Sequence, residues 1–202
     1  MPKTNNLKGY RSKRDFKKSP EPSGKKTMGK KTKNPVFVIH KHDASQLHYD
    51  FRLEVDGVLK SWAVPKGPST DPNEKRLAVH VEDHPFDYAD FEGVIPQGQY
   101  GAGRVIVWDT GTYRNIKKNK SGEEIPVARA LKMGTVEVQL AGKKLRGGYA
   151  LIQTKMRGQK KNWLLVKTKD KTARSRRDPI KSEPKSVLTG RTIEEIDAEE
   201  KQ

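Results

Sequence analysis

In the run LHYDFRLEV, His48, Asp50, Arg52 and Glu54 fall at every second position, alternating with Leu47, Tyr49, Phe51, Leu53 and Val55. Strand side chains alternate between faces, so the apolar set is expected to enter a core while the polar set shares the opposite face. Residues two apart on a strand lie roughly 6 to 7 Å from each other, close enough for an imidazole and a carboxylate to converge on one cation. His42, at the end of the preceding run, supplies a third ligand if the HDASQ segment turns the chain back. An alternating strand is also an ordinary object whose charges often meet only solvent. A second run shifts the balance: in RLAVHVEDH, Arg76, His80 and Glu82 share one parity, and His84 follows two residues later. All five histidines of the chain lie between residues 40 and 84, interspersed with Arg52, Lys66 and Arg76. Two imidazoles and one carboxylate without a thiolate suit Mn²⁺, Zn²⁺ or Fe²⁺. Arginine and lysine beside such an ion are costly unless an anion bridges them, and phosphate has the oxygens to do so. The expected chemistry is metal-assisted reaction at a phosphate ester. Lys66, in VPKGP, reads equally well as an ordinary surface base.

The elements that must position these groups are short and β-like. PVFVIH, LHYDFRLEV, VLKSWAV and RLAVHVE are followed by GRVIVWD, TVEVQL, GGYALIQTK and NWLLVKT, about eight strands separated by turn signals. Asp56-Gly57 between the second and third runs is a two-residue hairpin cue. Ile125 to Met133 reads as a short helix that Gly134 ends. So many strands with so little helix predict a mostly β fold, a small closed or nearly closed β-barrel with a short flanking helix.

Composition bounds the rest. With 32% apolar and 33% charged residues, the chain of 202 residues is expected to build one domain, over residues 35–168, with polar tails at 1–34 and 169–202. Residues 1–34 carry twelve Lys or Arg against two acids, and residues 35–168 carry 21 against 15. A basic arm without apolar periodicity is expected to be mobile when alone. The net charge of +17 points to a polyanionic partner, nucleic acid before an anionic membrane surface. There are no cysteines, which excludes disulfides and zinc-thiolate sites. The first residues show no leader-like apolar stretch, and no run approaches the ~20 apolar residues of a spanning helix, so a soluble, cytoplasmic protein is expected. Thr192-Ile-Glu-Glu195 has the form of a capping box for a short terminal helix.

The segments HKHDASQLHYDFRLE, LKSWAVPKGPS, KRLAVHVEDHPFDYADFEGVIPQGQYGAG and VIVWDTGTY resemble the 3′-phosphoesterase domain of bacterial ligase D, in a stand-alone form. The likeness covers residues 8 to 168 and is most specific over 36 to 113. It implies an Mn²⁺-dependent β-barrel enzyme of non-homologous end joining. Such an enzyme trims DNA primer-template 3′ ends by removing a terminal ribonucleoside and then the remaining 3′-phosphate. By motif, the resemblance assigns His42, His48 and Asp50 to the metal, and Arg52 and His84 to the scissile phosphate, His84 as transition-state stabiliser or general acid. Lys66, Arg76, Glu82 and Tyr88 match further active-site positions, and Arg14, Asp15 and Glu21 match arm residues that reach back over the site. If the arm does so, residues 10 to 22 are ordered by docking. His40 stands where many members have Gln; it orients substrate, competes for metal, or is a partly exposed strand histidine. KSVLTGRTIEEI resembles the linker to a following module, and a ligase or polymerase of end joining is the implied protein partner.

Two other readings fit parts of the pattern. His48-x-Asp50 with a distal histidine also matches the facial triad of non-haem Fe(II) oxygenases, although three flanking bases exceed what a keto acid needs. A non-catalytic nucleic-acid-binding barrel would use the basic arm and stack bases on Trp62, Trp108, Tyr100 or Tyr113; strand spacing makes these aromatics core candidates as well.

Overall fold

The computed structural model describes residues 7–24, 34–154 and 161–199. The alternating runs become β1 (Val36–Asp43), β2 (Leu47–Val55), β3 (Val58–Val64), β4 (Lys75–His80), β5 (His84–Pro85), β6 (Gly93–Ile95), β7 (Gly103–Asn115), β8 (Thr135–Gly142), β9 (Arg146–Gln153) and β10 (Asn162–Lys167). Antiparallel pairing runs β1-β2-β3-β4-β10-β9-β8-β7, and β7 returns to β1, closing an eight-stranded barrel. Closure removes the unpaired edges that an open sheet of this length would expose. β5 and β6 are short additions paired to β3 and β7.

The Asp56-Gly57 turn has φ of +51° and +84°, the left-handed pair that matches the twist of adjoining strands. It sets the β2–β3 register, placing Ser61 opposite Arg52 and Ala63 opposite Asp50. The expected helix forms as α2 (Val127–Lys132) and stops at Gly134. Three other short helices are α1 (Lys8–Ser12), α3 (Pro179–Ser182) and α4 (Ile193–Glu199).

Phe37, Ile39, Phe51, Leu53, Trp62, Trp108 and Trp163 fill the barrel interior. The opposite face of the wall is also covered: Val38, Leu59, Val105 and Val107 pack with Tyr88, Phe91 and Ile95 from the 86–102 connection and with Tyr10 from the arm. Two expectations change as a result. Leu47, assigned by parity to the core, is 46% exposed at the strand's start. The arm, expected to be mobile, is docked over residues 7–24, with Tyr10 fully buried and donating to the carbonyl of Pro22 at 2.7 Å. Burial of such a ring contributes on the order of 2 kcal/mol, which offsets the ordering entropy of one or two residues. At the other terminus, Ile193 and Ile196 of α4 pack on Ile106, and the Thr192 N–H donates to Glu195 at 2.7 Å, one half of the capping box. Among the described residues, no helix is long and apolar enough to cross a membrane.

Candidate active site and metal centre

The barrel wall presents a polar patch between β1, β2 and β3 on its outer face. Register places His42 opposite His48 and His40 opposite Asp50, while small Ala63 flanks Asp50 from β3 and leaves space above it. Leu59 faces His84, which β5 carries onto the same face. A cavity of about 280 Å³ opens over this patch, roofed by the arm and the 86–102 connection.

His42, His48 and Asp50 offer three ligand atoms within 4.8 Å of one another. Asp50 Oδ2 lies 3.8 Å from His42 Nδ1, and Asp50 Oδ1 lies 3.7 Å from His48 Nε2. Ligands about 2.0 to 2.2 Å from a metal sit roughly 3 to 3.5 Å apart, so small inward rotations complete the site. Main-chain carbonyls select the tautomers. His42 donates from Nε2 to Gly101 O at 2.9 Å, and His48 donates from Nδ1 to Gln46 O at 2.9 Å. The other ring nitrogens, His42 Nδ1 and His48 Nε2, face Asp50, the arrangement expected of metal-ligating histidines. The donor set therefore fits a divalent ion. Gly101 holds its carbonyl in place with φ +79°, where a side chain would be strained.

Arg52 is 2% exposed and tightly constrained. It donates to Ser61 Oγ at 2.7 Å, to Asp50 Oδ2 at 3.0 Å and to His40 Nδ1 at 3.2 Å, with Tyr88 beneath the guanidinium. Burial alone would raise the pKa of Asp50, but Arg52 and the two histidines outweigh it and hold the carboxyl well below the carboxylate range. Burial, followed by the charge of Arg52, pushes His40 well below the usual histidine range, consistent with a neutral ring accepting from Arg52.

The arm supplies a second guanidinium. Arg14 donates to Glu21 at 2.9 Å, to Glu82 at 3.1 Å and to the carbonyl of Tyr10 at 3.1 Å, with its outer nitrogen 3.4 Å from His84 Nε2. His84 donates from Nδ1 to Glu82 O at 3.0 Å, so Nε2 is the atom facing the cavity. Burial, then Arg52 and Arg14, hold His84 well below its ordinary pKa. Glu82 is lowered despite burial by its own N–H and by hydrogen bonds from Lys13 and Arg14. Tyr88 is raised well above 10 by burial and the Glu21 charge, so it remains a neutral phenol.

The cavity thus brings together Arg14, His42, His48, Asp50, Arg52, Glu82, His84 and Tyr88. Glu21 and His40 are buried behind the two arginines. Asp15 lies outside on the exposed turn of the arm, where its carboxylate accepts from Lys17 N at 3.0 Å. Lys66 is exposed beyond β3 and does not line the cavity. Arg76 is paired with Glu74 at 2.6 Å, and His80 packs on Trp62 inside the wall at 5.3 Å between ring centroids. Glu82 parts from them because residues 81–83 leave the ladder, which breaks the shared parity. The aromatics Trp62, Trp108 and Tyr113 are buried, and only Tyr100 is exposed, at the cavity rim.

Ser61, Gly101, Lys13 and Tyr10 were not singled out by sequence reasoning. Ser61 was readable from the Asp56-Gly57 register, which pairs it with Arg52. The other three depend on contacts between segments distant in sequence, with no local signal.

The fold and site together are those of a closed barrel whose wall carries two histidines and a carboxylate that could hold a metal ion, with two arginines lining the same cavity. The chain belongs to the family described as DNA Ligase D 3′-phosphoesterase domain, which matches residues 40–153. It is 53% identical over 195 residues, covering 96% of this chain and 22% of the relative, to the multifunctional non-homologous end joining protein LigD of Pseudomonas aeruginosa. Identity is 48% over 169 residues, 84% of this chain and 21% of the relative, to LigD of Mycolicibacterium smegmatis. It is 46% over 155 residues, 76% of this chain and 19% of the relative, to the multifunctional non-homologous end joining DNA repair protein LigD of Mycobacterium tuberculosis. The chain spans about a fifth of the length of these relatives. Membership in a phosphoesterase family implies a hydrolase.

Proposed function

We propose that this chain is a divalent-metal-dependent 3′-phosphoesterase acting on DNA primer-template ends. It would remove a 3′-terminal ribonucleoside as a phosphodiesterase, then the exposed 3′-phosphate as a phosphomonoesterase, leaving a 3′-hydroxyl for a polymerase or ligase of end joining. The observation that carries this reading is the placing of His42, His48 and Asp50 in one cavity with Arg14, Arg52 and His84. Mn²⁺ is the proposed ion, and when bound it supplies Lewis-acid charge at the phosphate.

Arg52 and Arg14 bind the nonbridging oxygens and take up charge that grows in the transition state; both are held by carboxylates before substrate arrives, so little reorganisation is needed. His84 is neutral between two guanidinium groups in the free protein. A phosphate entering beside it offsets those charges and favours protonation at Nε2. That proton then passes to the leaving oxygen as water adds to phosphorus and the P–O bond to the leaving group breaks; the water keeps one proton on the product phosphate and gives the other up to solvent, from which His84 is reprotonated. Glu82, tied to Lys13 and Arg14, positions the arm. Glu21 sets Arg14, and His40 sets Arg52. Tyr88 supports Arg52 from below. Lys66 and Arg76, which stand outside the cavity, would meet the strand beyond its terminal phosphate, and Asp15 shapes the turn that brings Arg14 in.

The test incubates the protein with Mn²⁺ and primer-templates ending in one ribonucleotide or in a 3′-phosphate, and follows product length and end chemistry. Shortening by one nucleoside to a 3′-phosphate, then loss of that phosphate, is expected. Unaltered ends, or oxygen uptake with Fe²⁺ and a keto acid instead, would overturn the reading.

A further inference from the structure

The chain has a second cavity, larger than the one over the triad at about 430 Å³, and its lining is almost wholly cationic. Lys143 and Lys144 come from the turn joining β8 to β9, Arg146 opens β9, and Lys171, Arg174 and Arg177 come from the segment after β10. Both parts are firmly built. The buried carboxylate of Asp109 accepts the N–H groups of Lys143, Lys144 and Leu145 at 3.0, 3.1 and 2.8 Å, fixing the turn. Thr70 Oγ donates toward the carbonyls of Arg174 and Arg177 at 2.8 and 2.7 Å, fixing the segment.

Charge in this cavity is poorly compensated. Among the described residues only Arg177 of the six has a carboxylate partner, Glu183 at 2.6 Å. The others lean on main-chain carbonyls: Lys143 on Val187, Lys144 on Glu183 and Lys185, Arg146 on Gly142, and Arg174 on Lys171 and Ala173. A carbonyl orients an ammonium or guanidinium but leaves its formal charge in place. The two terminal nitrogens of Arg146 and the ammonium of Lys171 have no hydrogen-bond partner among the described residues, and both residues are exposed. Burial lowers the pKa of Lys144 to about 8, against the opposing charges of Asp109 and Glu183. Concave walls carrying one sign of charge focus the field into the cavity.

Its position relates it to the metal centre. The turn hangs on Asp109, which pairs with Ile39 on β1, three residues before His42. β8 stands two ladder steps from β1, through β7. At roughly 4.8 Å per step and 3.3 Å per residue, the turn is about 14 Å from the ligand-bearing end of β1. A nucleic-acid strand advances about 3.4 Å per nucleotide, so about four nucleotides span the gap.

We propose that this cavity is a second anion site, which holds a backbone phosphate of the DNA whose 3′ end is bound at the metal centre. The proposal rests on the reading of that centre as a DNA end-processing site. Arg146, Lys171 and Arg174 make the phosphate contact, while Lys143 and Lys144 spend their donors on holding the C-terminal segment.

Fluorescence anisotropy with a labelled primer-template, recorded from 0.05 to 0.3 M monovalent salt, tests this. The triple variant Arg146→Gln/Lys171→Gln/Arg174→Gln is compared with Arg114→Gln/Lys118→Gln/Lys120→Gln, which removes equal charge at and just beyond the far end of β7. Removing one phosphate interaction lowers the slope of log affinity on log salt by about 0.9, equivalent to about five-fold weaker binding at 0.15 M. The cavity variant is expected to lose at least one such step, and Arg146→Lys/Lys171→Arg/Arg174→Lys to retain it. A cavity variant with the wild-type slope, or equal losses in both glutamine variants, overturns the proposal. If the glutamine variant does not fold, wild-type protein with 3′-phosphorylated single strands of two and eight nucleotides decides: equal salt slopes overturn it. Turnover of a nucleoside 3′-monophosphate by wild-type protein with Mn²⁺ reads the metal centre alone. No turnover with a cavity-dependent slope would sink the phosphoesterase reading and leave this site standing; turnover without that slope would do the reverse.

Discussion

Glu21→Gln isolates what the docked arm contributes. Glu21 does not line the cavity; it accepts from Arg14 Nε at 2.9 Å and from Ser19 Oγ at 2.9 Å, and its side chain is fully covered. The amide has the same shape and can still accept one bond from Arg14, so the change removes charge with almost no change in volume. Arg14, 4% exposed at its side chain, then keeps a single carboxylate, Glu82, which Lys13 also engages. Hydrogen bonds to charged groups contribute about 1.5 to 3 kcal/mol, and breaking a buried pair outright costs about 3 to 5. With one acceptor retained, a loss of about 2 kcal/mol is expected. That is about a thirty-fold rise in the undocked arm population, since ~1.4 kcal/mol is ten-fold. Limited trypsin digestion, with cleavage read at Arg11, Lys13, Arg14, Lys17 and Lys18 by mass spectrometry, measures it directly. An arm cleaved at the wild-type rate in Glu21→Gln would refute the view that the Glu21–Arg14–Glu82 chain holds the arm down.

Asp50→Ala should abolish the thermal stabilisation by Mn²⁺, which for the wild type is about 2.7 kcal/mol at 100 times the dissociation constant; a retained shift in melting temperature would remove Asp50 from the ligand set. Arg52→Lys keeps the charge but cannot reach Ser61, Asp50 and His40 together, so kcat/KM should fall about 10²- to 10³-fold, and near-wild-type kinetics would refute the role of the fork. Because the folded pKa of His84 is depressed below its unfolded value of about 6.5, its stabilising contribution is complete above that pH and is lost as pH falls below it. His80, lowered mainly by burial, acts in the same sense. Metal-free melting curves from pH 7.5 to 5.5 should therefore show falling stability, by up to about 1.4 kcal/mol per pH unit for each such histidine. His84→Asn should flatten the trend, and an unchanged slope in that variant would contradict it.

Legibility varied from one group of residues to the next. His48 and Asp50 were readable because period-2 alternation is a property of any strand, whereas Ser61, opposite Arg52, was not singled out although the turn type admits only one pairing. The same logic failed for Arg76 and His80, which share the parity of core residue Ala78 while apolar Leu77 is 45% exposed, and Glu82 parts from them because residues 81–83 leave the ladder. Leu47 failed for a related reason, since an apolar position at a strand's first residue lies beyond the covered part of the wall.

By itself the sequence determined the number and order of the main strands and the β2–β3 register, and it put His48 and Asp50 on one face of β2, all consequences of turn chemistry and side-chain alternation within a few residues. Only the tertiary structure decided that the polar side of β2 is roofed rather than wet. That required the 86–102 connection and Tyr10 of the arm to bury apolar surface against Val38, Leu59 and Val105. It also decided that Arg14, rather than Lys66 or Arg76, stands beside His84. Such choices rest on which distant segments gain more from burial and ion pairing than they lose in chain entropy, and no window of neighbouring residues carries that comparison.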